Sequence, residues 1–323
     1  MTMRSTRITG LISFGIVLLL GAGGWLNRWN IYDSIRLRNY QPPAAVAQIA
    51  TDTTMNDKTR RLFYVYHPDL EDKATFNGHC QSTEKTIVLG CYISGQGIYL
   101  SNITEARLQG VIQVTAAHET LHAAYDRLNA NDKQHVDDLI NQAYTRVTDQ
   151  RIRDTIEAYR KNGADVTNEL HSILGTEVRD LPPELEQYYT RYFTNRKAIV
   201  AYSEQYEKVF TEQQQVVTQD DAKLAELKKQ IDGLQTGLGS QAQALKSERA
   251  RLDGLLAAKS YDAYNAAVPG FNAKVGSYNA QVNQTRGLID QYNSVVAERN
   301  AAALEENQLV KAIENSPSTI DSQ

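Results

Sequence analysis

Cysteine is scarce in this chain. The only two, Cys80 and Cys91, fall in one short stretch, "GHCQSTEKTIVLGC". A zinc pair formed with His79 would lack further thiolate ligands. Buried free thiols are a second reading. The third is a disulfide, which would close a short loop, contribute about 3 kcal/mol and persist only in an oxidising compartment. Proline and glycine are also sparse, at 7 and 19, which excludes a low-complexity protein. Neither sign of charge dominates. Lys and Arg total 34 against 38 Asp and Glu, the formal charge is −4, and no basic stripe is present. Nucleic acid is therefore not an expected partner. Tryptophan and phenylalanine are few, 2 and 6, so the 18 tyrosines carry most of the aromatic content.

What is present begins with an uncharged run, "ITGLISFGIVLLLGAGGWLN", from Ile8 to Asn27. Twenty residues at about 1.5 Å each reach about 30 Å, the thickness of one bilayer core. Residues 1–27 are therefore expected to be a single-pass membrane anchor, with a cleaved signal peptide as the rival because "GAG" offers small residues. Arg4 and Arg7 before the run are balanced by Arg28, Arg36 and Arg38 after it, so charge does not set the orientation. The cysteine pair favours an extracytoplasmic body at the cell membrane.

Residues 28–60 read as a juxtamembrane segment, broken at "YQPPAAVAQ" by paired prolines. "RLFYVYH", "KTIVLGCYI" and "GIYL" carry β-branched and aromatic residues and predict strands, with "SGQG" as a turn. Helix follows. Asn102 with Glu105 predicts a capped start, and Leu108, Val111, Ile112 and Leu121 keep helical spacing. Asn131 is placed to cap the next helix, and Gly163 to stop the one after it. "DVTNELHSILGTEVRDL" predicts a further short helix, after which Pro182 and Pro183 interrupt the chain.

From about residue 220 a heptad pattern takes over. Leu224, Leu227, Ile231, Leu234, Leu238, Leu245, Leu252 and Leu255 alternate between core positions, with Gln241 and Glu248 filling two gaps. A second series runs Val268, Phe271, Val275, Tyr278, Val282, Thr285, Ile289, Tyr292, Val296. Between them lies "KSYDAYNAAVPG". An antiparallel helical hairpin with arms of about 40 residues, about 60 Å long, is expected over 216–315, or pairing of the two series with another chain. It holds no His or Cys, so chemistry belongs elsewhere. Its expected role is to project from the rest of the protein, recognising a partner or setting distance from the membrane. Residues 316–323 read as a disordered tail.

The stretch that carries chemistry is "VTAAHETLHAAYDRL". His118 and His122 stand four apart, so both imidazoles leave one face of a helix one turn apart. That spacing lets both bind one Zn²⁺ at about 2.0–2.1 Å. Glu119 lies about 100° round the helix, out of the ligand set but within reach of a water that the metal acidifies. The small and apolar flanks argue for a buried helix, in which histidines need partners.

"HETLH" resembles the active-site helix of the zincin metallopeptidases, in motif and in order of elements over roughly residues 60–200. Tyr125 and Leu128 stand where the metzincin extension has its glycine and last histidine, which excludes that subgroup. The gluzincin type takes a third ligand, a Glu, from a later helix. Asn168-Glu169 in "NELHSILGTE" is similar to that helix's beginning, which implies Glu169 as ligand, with Glu177 and His171 as alternatives. Ile173 stands where the family has an Asp that orients a histidine, leaving Asp126 for that role. His171, Tyr188, Tyr189 and Tyr192 are candidates for an oxyanion donor, the tyrosines reading more simply as packing. "TIVLGCYISGQGIYL" is expected to supply an edge strand for an extended peptide, its cleft wall stiffened by a Cys80–Cys91 bridge.

The expected fold class is thus α+β: an N-terminal transmembrane helix, a zincin-like metallopeptidase domain over 61–215 with a small sheet, and a C-terminal coiled-coil hairpin. The expected function is that of a membrane-anchored zinc metallopeptidase with a protein or peptide substrate, Glu119 as base and His118, His122 and Glu169 as ligands. The alternatives are a structural or scaffolding envelope protein with a degenerate zincin domain, against which Glu119 is retained, and a cytoplasmic placement of the same domain.

Overall fold

The computed structural model describes residues 27–80 and 89–314. Helix makes up 77% of these, and the sheet has only three strands. The expected α+β fold with a transmembrane helix is therefore corrected to a predominantly helical one. Among the described residues no helix is long and apolar enough to cross a membrane, so the single-pass, extracytoplasmic placement is corrected too. The run Ile8–Asn27 lies outside the described residues except for Asn27, as does the tail expected at 316–323.

The segment expected to be juxtamembrane forms three helices: α1 (Arg28–Leu37), α2 (Ala44–Asp52) and α3 (Asp57–Val65). Val46, Ile49, Ala50 and Met55 are buried, so this segment belongs to the core. Helix α3 takes in most of "RLFYVYH", which was expected to be a strand. Asn56 accepts the Thr59 N–H, and Thr59 and Phe63 bury one face. The cap and the four-residue spacing outweigh β propensity here.

Strand β1 (Asp69–Glu71) leads to α4 (Lys73–His79), capped by Asp72. Strands β2 (Gly90–Ile93) and β3 (Gly97–Ser101) form a hairpin, and the sheet order is β1-β3-β2. β1 runs parallel to β3, and β2 antiparallel, with Cys91 opposite Tyr99. After β3 the expected Asn102 cap does not form. A 3₁₀ turn at Ala106–Leu108 intervenes, and α5 (Val111–Asp126) starts after Gly110, whose φ of 97° favours glycine. Asn129, not Asn131, caps α6 (Ala130–Tyr144). Helix α7 (Gln150–Lys161) ends before Gly163, φ 76°. Next come α8 (Val166–Glu177) and α9 (Pro183–Tyr189). The core gathers α5, α6, α8 and α9 around Leu121, Tyr125, Ile140, Leu174 and Tyr189.

The chain divides into two compact units, Met1–Glu207 with Lys311–Gln323, and Lys208–Val310. The boundary falls inside α10 (Arg196–Ala257), and α11 (Tyr261–Ile313) follows. The second unit is an antiparallel pair of helices. Gln241 donates to Gln281 at 2.6 Å, Arg299 pairs with Asp221 at 2.7 Å, and Gln214 donates to Glu306 at 3.1 Å. Two details differ from the heptad reading. Pro269 lies inside α11 and not in the connector. Ile289 is exposed while Leu288 is half-buried, because a 3.6-residue helix drifts against a seven-residue repeat.

Candidate metal centre and general base

Helix α5 is hemmed in on most sides. Val114, Ala116, Ala117, Leu121, Ala123, Ala124 and Tyr125 are buried along it. Its small residues allow close packing with α8, and Gly175 of α8 makes that approach possible. A Cβ on Gly175 would sit 2.4 Å from Leu121 Cδ1 and 2.8 Å from Tyr189 Cε1. The close crossing brings the start of α8 to the histidine face of α5.

There Glu169 Oε2 lies 3.7 Å from His118 Nε2 and 3.7 Å from His122 Nε2. The three ligand atoms all lie within 4.8 Å of one another. Ligands on a tetrahedral zinc at about 2.05 Å stand about 3.3 Å apart, so small side-chain adjustments bring this set to bonding distance. Two imidazoles and a carboxylate, on rigid helices, fit zinc chemically. The alternatives for third ligand are engaged elsewhere. Glu177 pairs with Arg151 at 2.8 Å. His171 is fully buried and its Nε2 meets Tyr188 Oη at 2.9 Å.

The orienting partner is one that sequence reasoning missed. Asn168 Oδ1 lies 3.0 Å from His122 Nδ1. With Nδ1–H as donor, Nε2 keeps its lone pair toward Glu169. Asp126, expected in that role, is exposed at the end of α5. The only sequence signal for Asn168 is its place immediately before Glu169. Tyr188 and Tyr189 are core residues, as the packing reading expected; Tyr189 donates to the His171 carbonyl at 2.7 Å.

Comparison with protein-family models, with curated proteins and with solved structures found no match for this chain.

Burial is the largest influence on His118 and pushes its charged form down, but Glu169, Glu119 and Glu177 outweigh it and hold the pKa up at about 9. Burial raises Glu169, and the two histidines overcome this to leave it below the usual range. The cluster thus holds a proton in the metal-free protein, which a metal ion would displace. Glu119 is buried and takes no part in the ligand set. Burial pushes its carboxyl pKa up, against the pull of His122 and His118.

Glu119 is placed by strand β2, a contact that sequence spacing did not reveal. A Cβ on Gly90 would lie 2.4 Å from Thr115 Cγ2 and 3.1 Å from Glu119 Cγ. The Tyr92 backbone N–H favours the charged Glu119 carboxylate, the smallest of the influences on it. Leu89 O accepts the Ser101 N–H, so antiparallel alternation turns the backbone groups of Gly90 and Tyr92 away from β3, along the outer edge of the sheet. Cys80 and Cys91 are joined in a disulfide, Cα–Cα 5.9 Å, which displaces the free-thiol and zinc-pair readings.

Proposed function

We propose that this chain is a zinc-dependent metallopeptidase of gluzincin type. The observation that carries the reading is the convergence of His118, His122 and Glu169 from two helices, with a buried carboxylate, Glu119, outside the ligand set but beside it. His118, His122 and Glu169 would hold the zinc ion. When bound, it would supply Lewis acidity, acidifying water and polarising a peptide carbonyl. Glu119 takes the proton of the attacking water at its carboxylate. The same carboxylate can then return that proton to the leaving amine. Asn168 keeps His122 in the tautomer that presents Nε2. The outer edge of β2 offers the backbone groups that an extended peptide needs, so the substrate class is unfolded polypeptide.

The experiment is hydrolysis of a fluorogenic peptide mixture by the purified full chain, with zinc and after chelation. Cleavage should need the metal. Glu119→Gln should lower kcat by about 10²–10⁴, the contribution of general base catalysis. A chelated protein, or Glu119→Gln, that retains full activity would refute the reading.

A further inference from the structure

The carboxylate of Glu119 is packed against strand β2. A Cβ on Gly90 would lie 3.1 Å from its Cγ and 3.2 Å from its Oε1, and the Tyr92 backbone faces the same outer edge. Between those two residues stands Cys91, bridged to Cys80. β2 is four residues long and pairs with β3 on one side only, so its own ladder gives it little hold. Cys80, by contrast, sits on a fixed point. It is the C-cap residue of α4 and is buried. Its neighbour His79 pairs with Glu71 of β1 at 2.7 Å and stacks on Tyr99 of β3 with ring centroids 4.2 Å apart. The disulfide therefore ties the edge strand to the anchored part of the sheet. None of the three metal-ligand residues lies on β2 or α4.

We propose that the Cys80–Cys91 disulfide is a positioning element for Glu119, and that its reversible reduction is a switch that withdraws the general base while leaving the metal ligands in place. The inference rests on the metallopeptidase reading for its effect on catalysis, though not for its effect on β2. The reductant is a dithiol. One thiolate attacks the sulfur of Cys91, which is half-buried where Cys80 is buried, and the S–S bond breaks with Cys80 leaving as thiolate. The second thiol of the reductant then displaces Cys91. Two electrons pass to the protein, which gains two thiols, and the dithiol becomes a disulfide.

The test uses the full chain, oxidised, reduced with a phosphine (dithiols bind zinc) and then reoxidised in air, with Cys91→Ser as a second route to the open form. Amide hydrogen exchange over Cys91–Ile93, zinc content, and kcat and KM on an unstructured peptide are read together. Reduction should speed exchange over Cys91–Ile93, leave zinc unchanged and lower kcat by about tenfold or more, with KM less affected, since displaced general base catalysis is what is lost. Reoxidation should restore all three, and Cys91→Ser should behave as the reduced form. Unchanged exchange and kcat on reduction would overturn the proposal, and so would loss of zinc in step with activity, which marks a general staple. If even the oxidised protein cleaves nothing, the metallopeptidase reading fails separately. The exchange data then decide the positioning claim alone, faster exchange supporting it and unchanged exchange overturning it.

Discussion

Asn168 determines which nitrogen of His122 faces Glu169. Its carbonyl at 3.0 Å from Nδ1 fixes the ring and its tautomer together. Removing it frees the ring to rotate and lets Nε2 carry the proton. Asn168→Ala should therefore weaken zinc binding by about 10–100-fold, the usual effect of losing such a partner. Asn168→Asp, which keeps an acceptor, should recover most of it. Competition with a chromophoric chelator measures both, and an unchanged affinity in Asn168→Ala would contradict the role. That His118 and His122 share a face was legible in the sequence because four-residue spacing on one helix dictates it; Glu169 came only from the resemblance, with Glu177 and His171 open beside it, because it lies on another helix. Asn168 was not legible, because which side chain meets the outer nitrogen depends on how α8 crosses α5. Gly90 was hidden for the same reason: its contact with Glu119 exists only once the sheet packs on the helix.

At the scale of elements, α8 is held at its C-terminal end by Arg196. The guanidinium is buried and donates to the carbonyls of Leu174, Val178 and Arg179 and to the Glu186 carboxylate. A helix end buried in this way has carbonyls that need donors. Arg196→Met leaves them unpaired, with the Glu186 charge uncompensated, and should lower unfolding stability by about 3–5 kcal/mol. Urea denaturation measures this, and an unchanged midpoint would contradict it. The sequence showed α8 clearly, since periodicity acts locally, but α8 ends at Glu177 and Pro182 and Pro183 open α9 rather than stop it. It misassigned α3, where aromatic and β-branched residues suggested a strand, because the Asn56 cap and a buried Thr59–Phe63 face are helical signals of greater weight. It also left Gly110 unread as the start of α5. The 3₁₀ turn before it satisfies Glu105 in another way, through Arg107.

At the scale of the whole molecule, the proposed ligand residues and Glu119 lie in the unit made of Met1–Glu207 and Lys311–Gln323, and the helical pair 208–310 contains none of them. Replacing 208–310 by a short Gly/Ser turn should leave zinc content and short-peptide cleavage intact, while cleavage of a natural substrate in cells falls. Loss of zinc in that variant would show that the hairpin supports the site. The heptads were plain in the sequence, but the seating of Leu288 in place of Ile289 depends on supercoil, which a repeat length does not set to the residue. The central claim is that His118, His122 and Glu169 together hold one zinc ion. Its most direct test is metal content per chain, by mass spectrometry after dialysis against buffered zinc. The comparison is between the wild type, His118→Ala, His122→Ala, Glu169→Gln and Glu119→Gln. The account predicts about one zinc in the wild type and in Glu119→Gln, and strongly reduced zinc in the three ligand variants. Equal zinc in all five would contradict it.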